Sequence, residues 1–145
     1  MNLIDNLNLT ISIKNFISYL RSIKRFEKFM IIFWFLGPLI YLTERSPADI
    51  WVTFIVVVFL SRSFLTNDWS WIKIIWFKYA FLFWIISLIS AVLSPMPIFS
   101  FGEGFVWIRF PLYAVAIQSW LGANRDARII MLYIIMICMM LMSII

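Results

Sequence analysis

Between Lys78 and Glu103 the chain carries no charged residue, and this run, 79–102, is the longest of several apolar stretches set apart by short charged turns. Runs of this kind read as transmembrane helices, each needing ~20 apolar residues at 1.5 Å rise to cross a bilayer. Composition agrees. Of the 145 residues, 64% are hydrophobic and 13% charged, where a soluble domain has ~45–50% and ~25%. Aromatic residues make up 19%, with fifteen Phe and eight Trp. A soluble core of this size cannot hide so much apolar surface, and lipid is the solvent that fits.

The fold class expected is all-α: a polytopic membrane helical bundle of about five transmembrane helices preceded by an amphipathic interfacial helix. Residues 1–28 form a cytoplasmic tail with a basic amphipathic helix. Ile13, Phe16, Ile17, Leu20 and Ile23 follow helical spacing, with Lys14, Asn15, Arg21, Ser22, Arg25 and Lys28 on the other side, a pattern suited to the headgroup layer of an anionic leaflet. The spans expected are 29–43, 50–65, 79–94, 101–121 and 129–145, joined by a tight turn at 44–49 and a basic turn at 122–128. The first apolar stretch does not read as a cleavable signal peptide, because it starts late and no small-residue cleavage site follows it.

Gly37-Pro38 predicts a kink in the first span, since proline removes a backbone hydrogen bond. Ser94-Pro95-Met96-Pro97 stops the third span. Ser100 and Glu103 match a capping box opening the fourth. The cluster Trp69, Trp71, Lys73, Trp76 and Lys78 reads as an interface anchor.

Charge sets orientation. The chain has twelve Lys and Arg against seven Asp and Glu, a net charge of +5. The cations lie between apolar runs and form no stripe, so nucleic acid is not an expected partner. With the N-terminus in the cytoplasm, Lys14, Arg21, Lys24, Arg25, Lys28, Arg62, Lys73, Lys78, Arg125 and Arg128 all fall inside, as the positive-inside rule requires. Glu44, Asp49 and Glu103 fall outside.

Few residues offer chemistry. The chain has no His and a single cysteine, Cys138, which removes the commonest metal ligand and general base and excludes structural disulfides. No carboxylate pair, nucleophile–base pair or phosphate loop is present, so no catalytic residue, metal or cofactor is expected. Met131, Met136, Met139, Met140 and Met142 suit adaptable packing. Gln118 and Ser119 are candidates for hydrogen bonds to a neighbouring helix. Arg109 stands out, a guanidinium inside an apolar run at a cost of ~2.5–3.5 kcal/mol at the bilayer midplane. Such charges face a bundle interior or a water-filled path, and the planar donor suits phosphate or pyrophosphate; the alternative is a structural arginine that snorkels to lipid phosphates or fixes a loop. Pro111, two residues on, predicts a bend beside it.

The segment 87–122, SLISAVLSPMPIFSFGEGFVWIRFPLYAVAIQSWLG, joins an apolar span, a Ser-Pro-x-Pro turn, a helix with an Arg-Phe-x-Leu-Tyr-Ala core and a short basic turn. In this it resembles the N-terminal half of O-antigen ligase and O-antigen polymerase family proteins, most distinctively over 94–122. The resemblance implies a multi-pass glycosyltransferase of the bacterial inner membrane for lipopolysaccharide or surface polysaccharide synthesis. Such an enzyme takes glycan from an undecaprenyl-pyrophosphate carrier on the periplasmic side, with Arg109 toward the lipid pyrophosphate. Family members are longer and place catalytic His and Arg around a large later loop, so this chain is expected to be an N-terminal portion. A transporter or lipid-flipping subunit and a non-enzymatic membrane scaffold are the alternative readings.

Overall fold

The computed structural model describes residues 9–43 and 45–144, and among them every regular element is helical. The Asn-rich stretch 1–8, Glu44 of the expected outer turn and Ile145 lie outside the described residues. In chain order the helices are α1 (Leu9–Ser22), α2 (Arg25–Phe35), α3 (Gly37–Thr43), α4 (Arg45–Thr66), a 3-10 turn (Ser70–Lys73), α5 (Ile75–Val92), α6 (Pro97–Val106), α7 (Arg109–Ala116), a π turn (Ile117–Leu121) and α8 (Arg125–Ile144). Three helices are long and apolar enough to cross a membrane: Ser46–Thr66, Ile75–Val92 and Arg125–Ser143. The chain is an all-helical membrane protein.

Several boundaries differ from expectation, each for a local reason. The amphipathic helix ends at Ser22 and does not reach Lys28, because Lys24 is extended (φ −62°, ψ 150°) and Arg25 opens α2. Residues 25–28 thereby lengthen the short first apolar stretch. The expected turn at 44–49 is helical from Arg45 onward; Pro47 falls in the first turn of α4, where the N–H it lacks would have no intrahelical acceptor. Likewise α8 starts at Arg125 and takes up most of the expected basic turn. The Asn124 side chain accepts from the backbone N–H groups of Asp126 (2.8 Å) and Ala127 (3.2 Å) and so caps the helix.

The molecule divides into two compact units, Met1–Trp51 with Trp120–Ile145, and Val52–Ser119. In the first, α1 packs on α8 and α3 packs on α8. Phe16 of α1 is buried and meets Phe35 of α2 edge-on at 5.4 Å. The kink predicted at Gly37-Pro38 appears as the break between α2 and α3, bridged by the Ile40 N–H bond to the Leu36 carbonyl (3.0 Å). Gly37 lets the backbone approach the buried ring of Trp51, whose outer edge occupies the place of a Cβ.

In the second unit, α4 ends in a Schellman pattern. Asn67 takes a left-handed conformation (φ 53°), its N–H bonds Phe64 O (3.3 Å), and the Asp68 N–H reaches Ser63 O (3.1 Å). The next turn is tied by Asp68, which accepts from the Ser70 hydroxyl (2.7 Å) and Ser70 N–H (3.2 Å). These bonds, aided by the charge of Arg62, hold the Asp68 carboxyl below its ordinary value. Trp71 then departs from its expected role as an interface anchor. It is buried, donates its indole N–H to the buried Ser63 hydroxyl (3.2 Å), and packs on Phe59 and Phe77. Trp69 and Trp76 remain exposed.

Gly37, Gly102 and Gly104 give a graded test. Gly37→Ala should cost ~1–3 kcal/mol of stability through collision with Trp51. Gly104→Ala, whose Cβ would meet Leu88 Cδ2 at 3.3 Å, should cost less, and Gly102→Ala, which meets nothing within 4 Å, should gain ~0.5–1 kcal/mol. Thermal unfolding in detergent ranks the three; equal midpoints would refute the close approach at Trp51.

Candidate functional site

The site is built from α5 and the segment that follows it. Leu93 ends α5 and only a short Ser-Pro-Met link precedes α6, so α5 and 97–118 form an antiparallel pair. The predicted stop at the two prolines holds for α5, but Pro97 sits in the first turn of α6, where a missing N–H costs nothing. The expected capping box is therefore overturned. Ser100 lies inside α6 and its hydroxyl accepts from the Ser94 hydroxyl (2.8 Å), while Glu103 is an exposed mid-helix residue.

Three side-chain hydrogen bonds tie the pair along its length. Ser94 to Ser100 lies at one end. Trp84 Nε1 donates to the Gly104 carbonyl (2.9 Å) further along, and Trp76 Nε1 donates to Gln118 Oε1 (2.7 Å) toward the other end. Gln118 thus makes the inter-helix bond its position suggested. Ser119 instead bonds Val115 O within its own helix (2.8 Å). Residues 97–118 consequently run the length of α5, which spans about 27 Å at 1.5 Å per residue.

The segment is not one helix. α6 ends at Val106, Trp107 and Ile108 form a turn, and α7 begins at Arg109. The expected span 101–121 is thus interrupted inside, and the bend predicted from Pro111 is a break. Pro111 has no N–H to offer the Trp107 carbonyl, which accepts instead from Phe110 N–H (3.1 Å) in a tighter turn. The Gly104 carbonyl loses its continuous-helix partner as well, and accepts from the Trp107 N–H (3.3 Å) and the Trp84 indole. A backbone group released in an apolar setting is in this way satisfied by a neighbouring helix.

Arg109 is the first residue after the break. It lies between the Trp84–Gly104 and Trp76–Gln118 ties, level with the middle of α5. The side chain is half-buried, its Nε is shielded from solvent, and its guanidinium carbon sits 5.0 Å from the centre of the Phe110 ring. Pro111 and the turn at 107–108 surround it along the chain.

The other sequence candidates do not converge. Met131 is buried, whereas Met136, Met139, Met140 and Met142 are exposed along α8. Cys138 is a buried free thiol. Among the described residues no group of His, Cys, Asp or Glu is arranged to hold a metal ion. Compared with family models, curated proteins and solved structures, the chain has no match.

Sequence reasoning missed Trp84, whose indole repairs the break; a tryptophan in an apolar run gives no sign of its hydrogen-bond partner. Pro111→Ala supplies the missing donor and should let the helix close across 107–111. Amide exchange across 107–112 should slow several-fold. Unchanged exchange would assign the break to surrounding packing and not to the proline.

Proposed function

We propose that this chain is the membrane portion of an O-antigen ligase- or polymerase-like glycosyltransferase of the bacterial inner membrane, which takes glycan from an undecaprenyl-pyrophosphate carrier on the periplasmic side. The observation that carries this is the half-buried Arg109 at a helix break midway along an apolar hairpin. Support also comes from the resemblance over 94–122, which contains that break. Arginines within apolar helices often line a substrate path, and the planar fork of this one suits the oxygens of a pyrophosphate. Arg109 binds and orients the carrier's pyrophosphate in this scheme, and no catalytic group is assigned to the chain.

Five crossings fit the helices observed. α4, α5 and α8 are the three continuous ones. The interrupted pairs α2–α3 and α6–α7 are the other two, with α1 lying at the cytoplasmic headgroup layer and the N-terminus inside. The two interrupted segments also favour a second reading, a transporter or lipid-flipping subunit, because discontinuous helices line substrate sites in such proteins.

Reporter fusions test the topology: those at Thr66 and Asn124 should report cytoplasm, and those at Pro47 and Pro97 the outer side. A reversal at any one position breaks the span count. For the activity, Arg109→Ala in the native host should lower surface glycan transfer by roughly ten- to a hundredfold, the range set by ~1.5–3 kcal/mol for hydrogen bonds to a charged group. Membrane abundance should be unchanged. Equal losses of glycan and protein would make Arg109 structural, and intact glycan with lost uptake of a radiolabelled lipid-linked substrate would favour the transporter.

A further inference from the structure

Within the first unit, a ring contact links the start of α2 to the turn that precedes α8. Phe26 in the first turn of α2 stacks on Trp120 (ring centres 6.3 Å apart), and Trp120 shortly precedes the start of α8. The residues gathered there are strongly basic. Lys24, Arg25 and Lys28 are exposed around the start of α2, Arg125 and Arg128 are exposed in the first turn of α8, and Arg21 is exposed on the last turn of α1. Arg128 folds back so that its guanidinium donates to the Gly122 carbonyl (2.6 Å), which holds its charge at this end. Against these six cations stand Glu27 and Asp126, both half-buried.

Arg21 suits the C-terminal end of α1, but the other five cations are placed against the fields of α2 and α8. A helix N-terminus carries a positive partial charge of about half an elementary charge, which favours anions and disfavours Lys and Arg in the first turn. Helix starts loaded with cations in this way gain from an external anion. The surrounding surface identifies its source. Phe26 and Phe29 lie more than half exposed beside the cations, and the apolar lengths of α2 and α8 lead directly away from them. Cations bordered by exposed aromatic rings at the foot of apolar helices match the phosphate layer of a bilayer, with the rings entering the acyl boundary.

We propose that the α1–α2 elbow and the first turn of α8 form a basic collar that binds the headgroup phosphates of anionic phospholipids. The collar rests on the orientation given above only for the leaflet in which it lies, not for its chemistry.

The test is native mass spectrometry of the detergent-solubilised full chain with phosphatidylglycerol or phosphatidylcholine. Phosphatidylglycerol should be retained at least about tenfold better, given a contribution of about fivefold per basic residue near an anionic surface. The preference should shrink toward equality at 1 M salt, where the screening length falls to about 3 Å. The variant Lys24→Gln/Arg25→Gln/Lys28→Gln should lose most of it, whereas Lys73→Gln/Lys78→Gln should keep it. Equal retention of the two lipids by the unaltered chain overturns the proposal, as does an undiminished preference in the triple variant. Capture of a short RNA duplex in place of phosphatidylglycerol overturns it too. Reversed reporter fusions with the lipid preference intact would move the collar to the other leaflet and leave its chemistry standing.

Discussion

In hydrocarbon no water is at hand to accept or donate, so every backbone N–H and C=O must find its partner within the protein. Continuous helices meet that demand by themselves, as α4, α5 and α8 do. The two interrupted segments form local bonds at their breaks. Leu36 O takes the Ile40 N–H across the Gly37-Pro38 break. At the second break the chain tightens into a 3-10-like turn at Trp107–Phe110, and Trp84 reaches over from α5 to the Gly104 carbonyl. At the break beside Arg109 the neighbouring helix thus adds a second donor to a carbonyl that the tightened turn also serves.

Tryptophan serves two purposes in this chain. Its amphipathic ring is familiar at membrane interfaces, and Trp69 and Trp76 are exposed in keeping with that role. Trp71, Trp76 and Trp84 also donate their indole N–H to Ser63, Gln118 and the Gly104 carbonyl. Each such bond joins a large apolar surface to one polar contact, which suits packing between helices where few polar side chains exist. Two of the three tie α5 to the broken segment. They fix the register of the pair and, with it, the depth of Arg109.

Much of this architecture was legible in residues. Charge-free runs located the apolar helices, and the proline positions located both interruptions: Gly37-Pro38 separates α2 from α3, and Pro111 sits just past the break at Trp107–Ile108. Helix starts were less legible. The charged stretches 44–49 and 122–128 have the polarity of turns, yet helices start within them at Arg45 and Arg125, because Pro47 and Asn124 are both residues that open helices. Ser100 and Glu103 had the spacing of a capping box, but Pro97 began the helix one turn earlier and left them inside it. Trp71 illustrates a further limit. A Trp-Lys-rich stretch looks interfacial as a composition, yet a single ring within it turns inward when a buried hydroxyl such as Ser63 is in reach. Nothing local in the sequence marks the partner.

The depth of Arg109 sharpens what its function requires. Counted from a helix starting at Phe101, the guanidinium would lie in the outer half of the bilayer, where snorkelling to lipid phosphates is cheap. The ties from Trp84 and Trp76 put it level with the middle of α5. Packing against the Phe110 ring offsets only part of the desolvation, since a cation–π contact contributes ~0.5–2 kcal/mol. The same two indole bonds that hold the broken segment to α5 therefore also set where along that helix the guanidinium lies, beside a proline-made break and against the Phe110 ring.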